Sequence, residues 1–375
     1  MTTDVISSFL HKLARLNWGI FFLLLLISAL GWGLLISAAG GDIHPWASKQ
    51  ILRFGVGALI MFSIALIDLR WWLHFSYFFY GISLALLCGV EFLGFIGKGA
   101  ERWIDLYVIQ LQPSELMKIA LVMALARYFH SQSFPIPFHK LFFPLLLIMI
   151  PMVLVLRQPD LGTALILLMV GGTLFFLAGV SLWVFGAALI GVGASIPILW
   201  SFLHDYQRDR IFMFFDPSKD SLGAGYHITQ SKIALGSGGL WGKGYMQGTQ
   251  ASLNFLPEKQ TDFIFTLLCE EWGFLGGTFL LSLYVLLIFM CFRIILTTQN
   301  DFGRFVAAGM AVSFFFYIFI NVAMVMGLVP VVGIPLPLVS YGGTAMLTLL
   351  MGFGFLLNVG LHRTLKIPKL SIGVF

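Results

Sequence analysis

The chain has 375 residues, of which 59% are hydrophobic and only 10% charged, with a mean hydropathy of +0.94. Soluble globular domains carry about 25% charged residues, so this composition excludes a soluble enzyme with a polar shell and predicts an integral membrane protein. The net charge of +5 comes from 22 Lys and Arg against 17 Asp and Glu scattered along the chain, without the basic run that would read as nucleic-acid binding.

The 38 Phe and 40 Gly suit lipid-facing surfaces and close helix packing. Cys88, Cys269 and Cys291 all lie in apolar segments, so neither a disulfide framework nor a metal cluster is expected. A spanning helix needs about 20 mostly apolar residues. On that rule the chain reads as an all-α polytopic membrane protein, a single integral membrane domain over 1–375 with about ten transmembrane helices. The first three are expected near 17–39, 51–68 and 74–96. The first lacks the small-residue cleavage site of a signal peptide and is read as retained.

An irregular segment, 97–112, follows the third span. In it Arg102, beside Trp103, is placed to hold a phosphate while the ring lies at the interface. Pro113 then starts a helix on which Glu115 and Lys118 stand at i,i+3 and share a face. Two readings stay open for that pair: a structural ion pair inside the bundle, or a polar wall of an outward-open cavity. The fourth and fifth spans are expected near 114–129 and 141–157, and the sixth and seventh near 161–180 and 182–203. Between the fifth and sixth, Arg157 and Asp160 sit in a tight turn that they either close or use to meet a ligand.

A long polar loop, about 204–261, comes next, and loops of that length are usually functional. It carries Arg210, a stretch at 226–235 that reads as a short amphipathic helix lying on the membrane, and a glycine run from Gly236 to Gly244. The run fails both the dinucleotide and the P-loop spacing. It reads as a flexible loop with Lys243 near an anionic headgroup, or simply as a loop with a solvated charge.

Asp262 opens the eighth span, near 262–296, with Thr261 as its expected cap. Asp262, Thr266, Cys269 and Gly273 share a helical face, and Gly273 with Gly277 reads as a GxxxG contact. A carboxylate at the mouth of a membrane helix is costly unless something uses it. The bland account is interaction with the helix dipole, worth about 0.3–1 kcal/mol. That account explains neither Glu270 nor Glu271 further down. The last spans are expected near 303–328 and 340–361. Pro330, Pro335 and Pro337 lie between them among several glycines, which at membrane depth means broken backbone inside protein or beside a cavity. Amides near Ser340 are placed to face an anion there.

Basic residues set orientation. With a cytoplasmic N-terminus, the cytoplasmic segments gather ten Lys and Arg against three Asp and Glu, and the rest of the chain holds twelve against fourteen. Both termini are therefore expected in the cytoplasm, with the long loop external and Asp262 facing outward.

The run from Asn321 to Ala345 resembles the signature of the SEDS family of cell-wall polymerases, the RodA, FtsW and SpoVE proteins. Four more blocks carry the resemblance: Gly99–Ile104 with Gln112–Lys118, Arg157–Thr163, Gly236–Gly244, and Phe255–Glu258 with Thr261–Phe263. Thr261-Asp262-Phe263-Ile264-Phe265 is most like RodA, the elongation member. The resemblance implies a ten-helix peptidoglycan glycosyltransferase in the bacterial cytoplasmic (inner) membrane. Such an enzyme polymerises lipid II into β-1,4 glycan during cell elongation and releases undecaprenyl pyrophosphate. It also implies a class B penicillin-binding protein transpeptidase as partner, alongside other elongation-complex proteins. The family's essential aspartate falls on Asp262 and its charged pair on Glu115 and Lys118.

An α-linked donor giving a β-linked product inverts, so one base suffices. Asp262 is the expected catalytic base toward the acceptor hydroxyl. Arg102, Lys118, Arg210 and Lys243 are the expected cations for the leaving pyrophosphate, with Glu115 and Ser340 completing the substrate-binding set. No metal ligand set is expected and no cofactor is firmly implied. A divalent cation, Mg2+ or Mn2+, is the candidate addition. The rival readings are a lipid II flippase and a non-catalytic scaffold for a transpeptidase.

Overall fold

The structure, a computed structural model, describes residues 11–93, 95–97, 100–105, 110–133, 136–202, 208, 212, 224–253, 255 and 258–369. It is helical almost throughout. In order come α1 (Trp18–Ala38), α2 (Ala47–Leu66), α3 (Leu69–Leu93), strands β1 (Phe95–Gly97), β2 (Ala100–Asp105) and β3 (Gln110–Leu111), and α4 (Pro113–His130). Then follow α5 (Phe142–Arg157), α6 (Leu161–Leu177), α7 (Leu182–Phe202), α8 (Ala224–Ser237), α9 (Thr249–Ser252), α10 (Ile264–Thr297), α11 (Asp301–Val325) and α12 (Gly343–Leu361).

Each of the ten expected spans coincides with a helix, and seven of these are long and apolar enough to cross a membrane. The chain is a polytopic membrane protein. Helix α4 is the centre of the bundle. Pro113 starts it, where a missing N–H costs nothing, and every residue but Leu116 and Arg127 is buried. It packs against α3, α6 and α11, while α12 lies along α2. Outer helices show the reverse. On α7, Trp183, Leu189 and Ile190 are largely uncovered, as suits a helix whose solvent is lipid.

Three expectations need correction. The segment at 97–112 is not wholly irregular: β1, β2 and β3 form a small antiparallel sheet with Ile96 opposite Glu101 and Ile104 opposite Leu111. A ladder satisfies backbone groups there that an irregular chain would leave bare. The stretch at 226–235 is not a helix without protein partners. It belongs to α8, which docks on α10 and α11. Ser231 of α8 is fully buried, and its hydroxyl bonds Thr266 Oγ1 at 2.8 Å and donates to the Val325 carbonyl at 2.9 Å. Burial with partners on both helices outweighs the weak amphipathic pattern.

The third correction concerns the eighth span. Its helix starts at Ile264, not Asp262, and Thr261 does not cap it. The Thr261 hydroxyl instead donates to Glu258 Oε2 at 2.7 Å. The span also breaks at Gly273, which has φ 66° and ψ −164°. Gly273 is therefore a break in the helix, not half of a GxxxG contact.

Candidate active site

Asp262 lies in the turn before α10, and that turn is held from the far end of the chain. Three consecutive carbonyls accept hydrogen bonds. Gln260 O takes the Tyr341 amide at 2.8 Å, Thr261 O takes the Ser340 hydroxyl at 2.5 Å, and Asp262 O takes Asn321 Nδ2 at 2.9 Å. The donors are themselves fixed. Asn321, fully buried on α11, also donates to Ile334 O at 2.7 Å. Ser340 Oγ accepts from the Leu336 amide at 2.8 Å, and Ser340 O accepts from Gln50 Nε2 of α2 at 2.9 Å. The proline-rich segment between α11 and α12 thus has a local reason for its shape. It turns its polar groups onto the Asp262 turn and its apolar side chains Ile334, Leu336 and Leu338 into the core. It passes so close that a Cβ on Gly333 would lie 3.6 Å from Asp262 Oδ2. Ser340 was expected to meet an anion. Its amide bonds Leu336 O and its hydroxyl bonds the turn that carries Asp262.

Glu115 and Lys118 pair at 2.6 Å, both buried in the middle of the bundle. Tyr317 of α11 donates to both Glu115 oxygens at 2.7 and 2.9 Å, and Thr348 of α12 donates to Oε2 at 3.0 Å. Lys118 Nζ sits 4.2 Å from the centre of the Tyr317 ring. Together with Gln50 and Ser340 the pair lines a cavity of ≈ 50 Å³. That is room for a few waters at about 10–15 Å³ each by this measure. Pro335, Leu336, Pro337 and Leu338 of the segment before α12 line the same cavity.

Lys243 is partly buried and paired, not a lone charge. Its Nζ pairs with Glu270 Oε1 at 2.8 Å, and the same oxygen accepts from Thr249 Oγ1 and the Gln250 amide, each at 3.1 Å. The glycine run enters the break at Gly273. In an unbroken helix the Phe274 and Leu275 amides would bond the Glu270 and Glu271 carbonyls. Here those carbonyls take the Lys243 and Gly244 amides at 3.0 Å each, while Phe274 N and Leu275 N donate to Gly239 O and Leu240 O at 2.9 and 3.2 Å. The loop replaces the hydrogen bonds the helix gives up. Gly242 is required by approach, since a Cβ there would lie 2.1 Å from Glu271 O.

Among the other expected residues, Asp160 closes its turn by accepting from the Thr163 amide at 3.1 Å and hydroxyl at 2.9 Å. Arg102 lies on β2, and Arg210 lies outside the described residues. Sequence reasoning passed over Arg53, a lone basic residue in the second span. It stands 4.8 Å from the centre of the Tyr341 ring and packs against Gly343, the first residue of α12. Its Nη1 is buried without a hydrogen-bond partner among the described residues. A charged residue inside an apolar span was the available signal. Among the described residues no three His, Cys, Asp or Glu side chains converge.

Comparison with known proteins fits this arrangement. The chain is 46% identical over 344 residues to "Peptidoglycan glycosyltransferase MrdB" of Escherichia coli (strain K12), covering 91% of this chain and 93% of that one. Its fold matches a chain solved in work on structural coordination of polymerization and crosslinking by a peptidoglycan synthase complex. That match has TM-score 0.82 and 31% identity, covering 94% of this chain and 99% of the other. It also matches the Thermus thermophilus rod shape determining protein RodA, with TM-score 0.72 and 30% identity over 94% of this chain and 98% of that one. The FTSW_RODA_SPOVE model, described as cell cycle protein, matches residues 12–365, and the chain belongs to that family.

Proposed function

We propose that the chain is a peptidoglycan glycosyltransferase that polymerises lipid II into β-1,4-linked glycan during cell elongation and releases undecaprenyl pyrophosphate. The observation that carries the reading is the clamp on Asp262: three donors from α11 and the segment before α12 hold the carbonyls of Gln260, Thr261 and Asp262. A residue whose backbone is held this firmly before reaction suits a general base, because little reorganisation is left for the reaction to pay. In the reaction Asp262 takes the proton of the acceptor 4-hydroxyl as its oxygen attacks the donor anomeric carbon. The C–O bond to pyrophosphate breaks on the opposite face, so the configuration inverts.

The leaving pyrophosphate needs positive charge. Lys118 and Lys243 are paired with Glu115 and Glu270, so they act through position. Arg53, with a nitrogen left open beside the start of α12, joins Arg102 and Arg210 as the cations that meet phosphate. A divalent cation, Mg2+ or Mn2+, would neutralise the pyrophosphate when bound, with Asp262 and Glu258 the carboxylates of this turn that could meet it.

In this reading the protein sits in the bacterial inner membrane with both termini cytoplasmic and Asp262 on the outer side. A class B penicillin-binding protein cross-links its product within the elongation complex. The balance of Lys and Arg along the chain supports the orientation. The likeness to a chain of a peptidoglycan synthase complex supports the partner. The test is conversion of labelled lipid II by the purified protein with its partner. Glycan digestible by a muramidase is expected, and unconverted lipid II would contradict the reading.

A further inference from the structure

Glu270 and Glu271 are neighbours on α10, so their side chains leave the helix about 100° apart. Glu270 Oε1 is taken up by the loop at Lys243 and Gln250, and Glu271 Oε1 by the Ser37 hydroxyl at the end of α1, with the Met246 backbone amide also turned to the Glu271 carboxylate. The Oε2 atom of each is buried without a well-formed hydrogen bond among the described residues, and Glu271 is only 2% exposed. Buried polar atoms are nearly always paired, and an orphan calls for an explanation.

Glu271 lines a cavity of ≈ 410 Å³ whose wall includes Ser37, Asp42, Trp46, Met246 and Lys259. That volume lies within the range of small-molecule sites, about 300–1,000 Å³. The wall carries acids at Asp42 and Glu271 and a base at Lys259, so it prefers no single charge. Trp46 adds an aromatic surface with an apolar body. Lys259 belongs to the same turn as Asp262. A neutral ligand rich in hydroxyls answers all of these features. A hydroxyl donates to the orphan Glu271 oxygen, an amide carbonyl accepts from an ammonium, and the apolar face of a sugar ring rests on indole.

We propose that this cavity is a saccharide subsite that takes an N-acetylated hexose of the glycan beside the reacting one. The proposal rests on the polymerase reading and deepens it. Its probe is a soluble N-acetylglucosamine tetramer, with binding to the whole protein in nanodiscs measured by calorimetry. The wild-type chain and Asp262→Asn should bind it equally. Glu271→Gln should weaken binding at least tenfold. Ala39→Trp, which fills the cavity and leaves the Ser37–Glu271 contact in place, should abolish it and so carries the test if Glu271→Gln does not fold. Absence of saturable binding would overturn the proposal. So would binding unchanged by Ala39→Trp, or preference for a peptide of the cell-wall stem over the sugar. Polymerisation of lipid II by Asp262→Asn is a separate readout. Its persistence would sink the polymerase assignment of Asp262 without touching sugar binding.

Discussion

The Ser340 hydroxyl donates to the Thr261 carbonyl at 2.5 Å across 79 positions of sequence. That contact ties the segment before α12 to the residue preceding the proposed base. Ser340→Ala removes this bond and leaves the Leu336 amide unpaired. A stability loss of about 1–3 kcal/mol is expected for the buried group left bare. Turnover should fall further than stability alone explains, by up to about 100-fold for a shift near 1 Å. Steady-state kinetics on lipid II check this, with kcat reduced and KM little changed. A raised KM with kcat unchanged would point to a binding role for Ser340.

The Glu115–Lys118 pair predicts a distinctive double-mutant pattern. Lys118→Met leaves a carboxylate buried among Tyr317 and Thr348 and should cost about 3–5 kcal/mol. The double variant Glu115→Gln/Lys118→Met removes both charges and should be more stable than Lys118→Met alone. Thermal unfolding in detergent reads this out. A double variant as unstable as the two singles added together would mean the charges do not act on each other.

The loop that replaces the helix bonds at Gly273 makes its glycines unequal. At Gly242 an added Cβ would lie 2.1 Å from the Glu271 carbonyl, whereas at Gly236 nothing lies within 4 Å. Gly242→Ala should therefore prevent accumulation of folded protein. Gly236→Ala should be tolerated, within about 1 kcal/mol, since alanine is the better helix residue. Expression and gel-filtration profiles of the two variants decide it, and equal behaviour would contradict the placement of the loop.

Arg53 is expected to hold phosphate. Arg53→Ala should lower kcat/KM by about 10–100-fold, the loss of one or two charge-assisted hydrogen bonds. Arg53→Lys should recover part of it, because a lysine keeps the charge but not the planar fork. Inhibition by inorganic pyrophosphate should weaken in the same order. An Arg53→Ala enzyme with unchanged pyrophosphate inhibition would restrict Arg53 to packing on Tyr341.

Much of this was readable from the chain alone. Membrane helices need long apolar runs, so a helix lies at each of the ten stretches picked out by composition, seven of them long and apolar enough among the described residues to cross a membrane. The blocks around Asp262, Glu115 and Lys118 resembled a family whose motifs cover most of the sequence. What escaped depends on contacts between distant segments. The break at Gly273 is stable only because residues 239–244 bond into it, and nothing near Gly273 reveals that. The roles of Ser340 and Asn321 lie in carbonyls of another segment. Short strands such as β2 and β3 fall below the length at which alternation stands out from a loop.

The most direct test of the central claim is the activity of the purified Asp262→Asn protein, in complex with its transpeptidase partner, on lipid II. Asparagine keeps the shape of the side chain and removes its capacity to take a proton, while the bond from Asn321 to the residue 262 carbonyl is unaffected in kind. A folded complex that makes no glycan is expected. Polymer formed at a substantial fraction of the wild-type rate would contradict it.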